Sequence, residues 1–148
     1  YEPEVILAGR KLNDSMGEYV ADRLVEALSQ DLNDVKGAKV LIMGLTFKEN
    51  CPDIRNTRVI DIVSELDAKG CQVDVYDPWV FRDEVEAEFG LVPIEEPKTG
   101  AFDAIVLAVA HQLFIEMGAK KIRSLGRSAV ILYDLKCVFS KSECELRL

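Results

Sequence analysis

The sequence predicts a three-layer α/β sandwich with a mostly parallel sheet, preceded by one long α-helix. Three observations carry this expectation. Short apolar runs (AKVLIMG, AIVLAVA and AVIL, with CQVDVY among them) alternate with stretches of helical periodicity. Fully apolar strands separated by helices belong to a parallel sheet covered on both faces. Over roughly the first thirty residues, apolar or small residues recur at steps of three and four, which marks one helical stripe. The chain of 148 residues is also 49% hydrophobic and 30% charged. A chain of that length buries roughly 68–70% of its unfolded surface and needs no disulfide or metal staple.

The elements follow in order. Residues 3–31 read as the long helix. Pro3 suits a first turn, Glu2 and Glu4 suit its positive end, and the stripe runs through Val5, Gly9, Leu12, Met16, Val20, Leu24 and Leu28. Ala21, Val25 and Leu32 form a second, shorter stripe. Such a helix is about 43 Å long, longer than the small domain that follows. Part of its stripe is therefore expected to pack outside its own domain, on another copy of the helix, rather than only along its own core. Residues 33–37 form a polar break. Residues 38–44 form the first strand, and residues 57–68 an amphipathic helix ended by Gly70. Residues 71–76 form the second strand, residues 81–89 a short acidic helix, and residues 91–94 a small strand. Residues 104–110 are the third strong strand, residues 111–125 a helix broken near Gly118, and residues 129–132 the fourth strand. The whole is a Rossmann-like fold with no internal repeat.

Composition removes several function classes. The net charge of −8 repels phosphate backbones and speaks against a nucleic-acid partner. No apolar run approaches the ~20 residues of a membrane-spanning helix, and the start shows no signal-peptide pattern. Cys51, Cys71, Cys137 and Cys144 lack CxxC spacing, and only one histidine is available to join them, so no zinc site is expected. Four cysteines beside a self-sufficient core point to reduced thiols in a cytosol. The chain starts at Tyr1, inside a predicted helix, and reads as part of something longer.

In sheets of this kind ligands sit beyond the carboxyl ends of the strands. The first such loop, GLTFKENCPDIRNT, is neither GxGxxG nor a Walker A loop. It offers side-chain charge instead: Lys48 as a point donor and Arg55 as a fork for phosphate. Asp53 can hold Arg55, and Asn56 or Thr57 can cap the next helix. An ordinary loop with surface ion pairs is the competing reading. Asp77 either meets a ribose hydroxyl or caps a turn. His111, without a paired Ser, Cys or Asp motif, reads as a structural or interface residue. Lys136, in YDLK, shares an edge with Lys48, so the two can clamp one anion. Cys51 has no neighbouring general base and is not expected to be a catalytic thiol.

The run GLTFKENCPDIRNT, then YDP, then YDLK, resembles the C-terminal domain of the UDP-glucose/GDP-mannose dehydrogenases. The preceding PEVILAGRKLNDSMGEYV resembles their central dimerisation helix. The wording NDSMG, FKENCPDIRNT and DLK resembles the branch acting on UDP-N-acetylhexosamines, including enzymes that feed surface polysaccharides. The resemblance implies oxidation of a nucleotide sugar at C6, from alcohol to carboxylate, with NAD and a cysteine-bound intermediate. The NAD-binding domain and the catalytic cysteine of that family lie upstream of the central helix, so no catalytic residue is expected in this chain. Phe47 and Lys48 match the pair that contacts the nucleotide sugar, and Lys136 matches a further UDP-sugar position. Arg55 matches the arginine that reaches toward NAD. Cys137 stands where glycine is expected, so that loop's backbone is expected to differ. The implied organisation is residues 1–35 as part of the dimerisation helix and 36–148 as the UDP-sugar-binding domain, forming a homodimer through the helix. A free-standing nucleotide sensor and a pure interaction scaffold remain as alternatives.

Overall fold

The computed structural model describes the backbone of residues 4–148 except 33, and the side chains of residues 16–148 except 31 and 33. The expectations at Glu2, Pro3, the side chains of Glu4, Val5, Gly9 and Leu12, and Asn33 lie outside these. A helix α1 (Glu4–Asp31) leads into β1 (Lys39–Met43), α2 (Val59–Ala68), β2 (Gln72–Tyr76), α3 (Arg82–Phe89), β3 (Phe102–Leu107), α4 (Gln112–Arg123) and β4 (Gly126–Asp134). A 3-10 turn at Lys141–Glu143 and a short β5 (Leu146–Arg147) follow. The strands form one parallel sheet in the order β2-β1-β3-β4-β5.

Alternate residues of each inner strand are buried on opposite faces, as a period of two demands. Val40, Ile42, Ala104, Val106, Ile131 and Tyr133 meet Val20, Leu24 and Leu28 of α1 and Ile62 and Leu66 of α2 on one face. Leu41, Met43, Ile105, Leu107 and Leu132 meet Phe114 and Ile122 of α4 on the other. This makes three layers. The later part of α1 therefore belongs to the core of the sheet domain, while Met16 and Tyr19 stand 43% and 49% exposed. Gly17 permits the close approach of α1 to α2, because a Cβ there would lie 2.8 Å from Asp61 Cβ.

Three expectations need correction. Residues 91–94 form no strand and give only one bond to the sheet edge, Ile94 N–H to Val75 O at 2.8 Å. The fourth strand starts earlier than its apolar run, at Gly126, which pairs with Phe102; residues 127–129 are not buried and so carry no apolar signal. The turn at Lys141–Glu143 and β5 lie in a tail for which the sequence predicts no element. The break near Gly118 is present, with φ 78° and ψ 159° inside α4.

Candidate functional site

The register of the sheet brings the loops to one level. Met43 pairs with Tyr76 on one side and Leu107 on the other, and Leu107 pairs with Asp134. The chain thus leaves β1, β2, β3 and β4 side by side, at the place where strand order reverses between β1 and β3. Gly44 makes the first departure possible. Its φ is 98°, and a Cβ would fall 2.5 Å from Val109 Cβ, so this crossing accepts only glycine.

A cleft of about 240 Å³ opens at this edge. Its floor is apolar, from Val20, Val59, Ile62, Val109 and Leu135, and its rim carries Phe47, Lys48, Glu49 and Lys136. Residues 56–59, which lead into α2, face the same space. Thr57 Oγ1 accepts the Val59 N–H at 3.3 Å, so Thr57 satisfies one amide of the helix start. The structure therefore brings Lys48 and Lys136 together, from different strands, at one opening. Cationic side chains over an apolar floor suit a ligand with an anionic part and a flat or apolar part.

Arg55 does not line that cleft. It lies on another part of the loop, beside Pro52 and the acidic Glu84 and Glu88 of α3. Asp53 grips it twice, from Nε at 3.0 Å and Nη2 at 3.1 Å. The Arg55 guanidinium and backbone N–H hold the Asp53 carboxyl below its ordinary range. The Arg55 side chain is 85% exposed.

Asp77 and His111 turn out to be partners. Asp77 Oδ2 accepts from Leu45 N at 2.7 Å and Thr46 N at 3.2 Å, and Oδ1 accepts from Trp79 N at 2.8 Å. The same Oδ2 lies 2.9 Å from His111 Nε2. With its carboxylate occupied and only 5% exposed, Asp77 is a turn anchor, and the ribose alternative falls away. His111 is fully buried, and its partnership with Asp77 replaces the expectation of an unpaired histidine. Sequence reasoning also missed Thr46 and Asn50, which carry this network into the loop. Thr46 Oγ1 donates to Lys48 O at 2.8 Å, and the Asn50 N–H donates to His111 Nδ1 at 2.9 Å. No short-range pattern signals contacts across more than sixty residues. The contribution of α1 to the cleft, through Met16, Gly17 and Val20, was also unforeseen.

The loop after β4 is built more simply. Asp134, fully buried, accepts from Lys136 N at 3.1 Å and Phe139 N at 2.8 Å. Cys137 has φ 53°, the left-handed conformation that glycine favours. At this position the turn has a glycine-type conformation with a cysteine in it. All four cysteines are free thiols. The tail beyond returns to β4, where Glu145 Oε2 accepts the Leu132 N–H at 2.9 Å and pairs with Arg123.

The UDP binding domain of the UDP-glucose/GDP-mannose dehydrogenase family matches residues 41–141. A UDP-N-acetyl-D-glucosamine 6-dehydrogenase of Pseudomonas aeruginosa is 54% identical, and one of Salmonella typhi 51%, each over all 148 residues. The chain spans about 35% of the length of these curated relatives. Among solved structures, an NDP-N-acetyl-D-galactosaminuronic acid dehydrogenase from Methanosarcina mazei Go1 superposes with a TM-score of 0.80 at 23% identity. That superposition covers 97% of this chain and 30% of the other.

Proposed function

This chain belongs to the UDP-glucose/GDP-mannose dehydrogenase family, and we propose that it is the UDP-sugar-binding portion of an NAD-dependent UDP-N-acetylhexosamine 6-dehydrogenase. That enzyme would oxidise the sugar's C6 alcohol to a carboxylate for surface polysaccharide synthesis, in the cytoplasm. The observation that carries the reading is the convergence of Lys48 and Lys136 on one cleft, in a chain of net charge −8. A diphosphate needs local positive charge, and these ammonium groups provide it, joined by the start of α2. Phe47, exposed at the rim, offers a flat apolar face to the nucleotide sugar.

This chain's part in the reaction is to bind, orient and exclude water. NAD, when bound, takes up the hydride. Arg55, held by Asp53, is the residue this chain offers to it, and no glycine-rich phosphate loop is present in the sequence. In this reading residues 36–148 form the nucleotide-sugar domain, residues 1–35 belong to the dimerisation helix whose later turns also pack on that domain, and the side of the helix left uncovered pairs with a second copy. Exposed Met16 and Tyr19 on α1 support that pairing. Sedimentation of Leu12→Asp and Met16→Asp tests it, and an unchanged dimer mass in both would count against the helix.

Calorimetric titration of the protein with UDP tests the cleft. Lys48→Ala and Lys136→Ala should each weaken UDP about tenfold, roughly 1.4 kcal/mol, with a much smaller effect on uridine. Equal UDP affinity in the double variant would remove the reading. Mixed with UDP-N-acetylhexosamine and NAD⁺, this chain alone should produce no NADH. Turnover would show that its own residues carry the chemistry.

A further inference from the structure

We propose that His111 is a positioning residue, which fixes the Lys48 turn in its ligand-ready shape by accepting the Asn50 amide. The proposal rests on the reading of the cleft as a diphosphate site. The tip of the loop after β1 is exposed from Phe47 to Asn50, and it lacks the glycine cradle that would let backbone alone hold a phosphate. Something must hold the lysine still, because a mobile side chain and loop lose ordering entropy on binding. The hydrogen bonds show what does so. The Phe47 N–H donates to Asp53 O at 2.7 Å and closes the loop's base. On one side of Lys48, Thr46 Oγ1 holds the Lys48 carbonyl and lies 3.3 Å from His111 Nε2. On the other side Asn50 gives its N–H to His111 Nδ1. Its side-chain Oδ1 also accepts the Gln112 N–H at 2.8 Å. Lys48 is thus flanked by two residues that meet one ring.

The ring's chemistry follows from its neighbours. Nδ1 faces an N–H and must present its lone pair, so the ring proton sits on Nε2, facing Asp77. Asp77 selects this tautomer and also grips the Leu45 and Thr46 amides. The ring is further fixed by Trp79, stacked at 6.1 Å between centroids, and by Phe114, edge-on at 5.4 Å. Asn50 itself sits at φ 55°, a conformation that asparagine tolerates and that aims its amide at the ring. His111 does not line the cleft; its effect on the lysine passes through Asn50 and Thr46.

His111 is the chain's one histidine, so the imidazole ¹⁵N spectrum reports this ring alone, and it should show protonation at Nε2 only. Three variants then divide its two bonds. Asparagine places an acceptor near the position of Nδ1, glutamine places a donor near Nε2, and leucine supplies neither. In the full chain, His111→Leu should weaken UDP about tenfold and speed exchange of the Asn50 amide at least tenfold. His111→Asn should return UDP affinity to within about threefold of wild type. His111→Gln should not, even though it keeps the Asp77 contact and melts nearer to wild type. A purely structural histidine would instead make affinity follow melting temperature across the series. Wild-type affinity in folded His111→Leu, or equal affinities in His111→Asn and His111→Gln, overturns the proposal. The second comparison decides the matter if His111→Leu does not fold. If Lys48→Ala leaves UDP binding unaltered, the cleft reading fails, and the Asn50 amide alone decides. Accelerated exchange in His111→Gln then supports the anchor, and wild-type exchange overturns it.

Discussion

The loops after β1 and β4 deliver a lysine to the same cleft by different constructions. In the second, a single residue suffices: Asp134 ends its own strand and accepts amides two and five residues further on. In the first, Asp77 reaches in from the neighbouring strand, and His111 from the end of the next one. The difference follows from length. A short turn can be closed by its own Asx residue, but the chain from residue 44 to 57 is too long for one local bond to order it. To its own Phe47–Asp53 and Thr46–Lys48 bonds it therefore adds restraints from the residues that follow β2 and β3, whose ends the sheet register places alongside.

The most severe way to break this comparison is to remove the two aspartates. Asp77→Ala takes away three amide contacts and the acceptor 2.9 Å from the buried His111 Nε2, so a loss of about 3–5 kcal/mol is expected from several donors left unsatisfied at once. Asp134→Ala removes two amide contacts and should cost about 1.5–3 kcal/mol. Urea denaturation of both variants measures the order. If Asp134→Ala proved the costlier, the account of the first loop as the more heavily restrained would be wrong.

What was legible in the sequence divides along the same line. The strands were legible because both faces are buried, and the resulting apolar runs of β1, β3 and β4 need no alternation to be seen. The YDLK turn placed Lys136 at the right edge because its restraint is local. The pairing of Asp77 with His111 was illegible, since the residues lie 34 apart in sequence and meet only through the strand order. The tail was missed for a related reason. β5 is two residues long and is held by the Arg123–Glu145 pair and the Leu132 amide rather than by an apolar pattern.

The backbone conformations sharpen the contrast at smaller scale. Each loop uses the left-handed region, with Asn50 and Asn56 in the first and Cys137 in the second. Asparagine adopts that region readily, whereas a cysteine there stores strain. Cys137→Gly should stabilise the protein by about 0.5–1 kcal/mol, the relief of strain exceeding the added freedom of the unfolded chain. Asn56→Gly should change stability by less than about 0.5 kcal/mol. Equal gains at the two sites would mean that Cys137 carries no strain.

The smallest effects separate the two regions by acid. Burial pushes the Glu145 carboxyl up, but the Arg123 hydrogen bonds and the Leu132 amide outweigh it, and the net direction is down from 4.5. Asp53 is likewise held below 3.8 by the Arg55 side chain and amide. For both, the folded form favours the carboxylate more than the unfolded chain does. Any stability they supply is present above those ordinary values and is lost as pH falls through the lower folded ones. The consequences differ because the surroundings differ. Glu145 also satisfies a backbone amide of β4, so Glu145→Gln at pH 7 should cost somewhat under about 1 kcal/mol. That deficit should vanish once the wild-type carboxyl is protonated. Asp53 aims an exposed arginine and accepts the exposed Arg55 N–H at 2.8 Å, a bond that asparagine can keep, so Asp53→Asn should leave the melting temperature nearly unaltered while freeing the Arg55 Nε resonance to move. A melting temperature that dropped clearly in Asp53→Asn at pH 7 would show that the Asp53–Arg55 clip helps to hold the first loop.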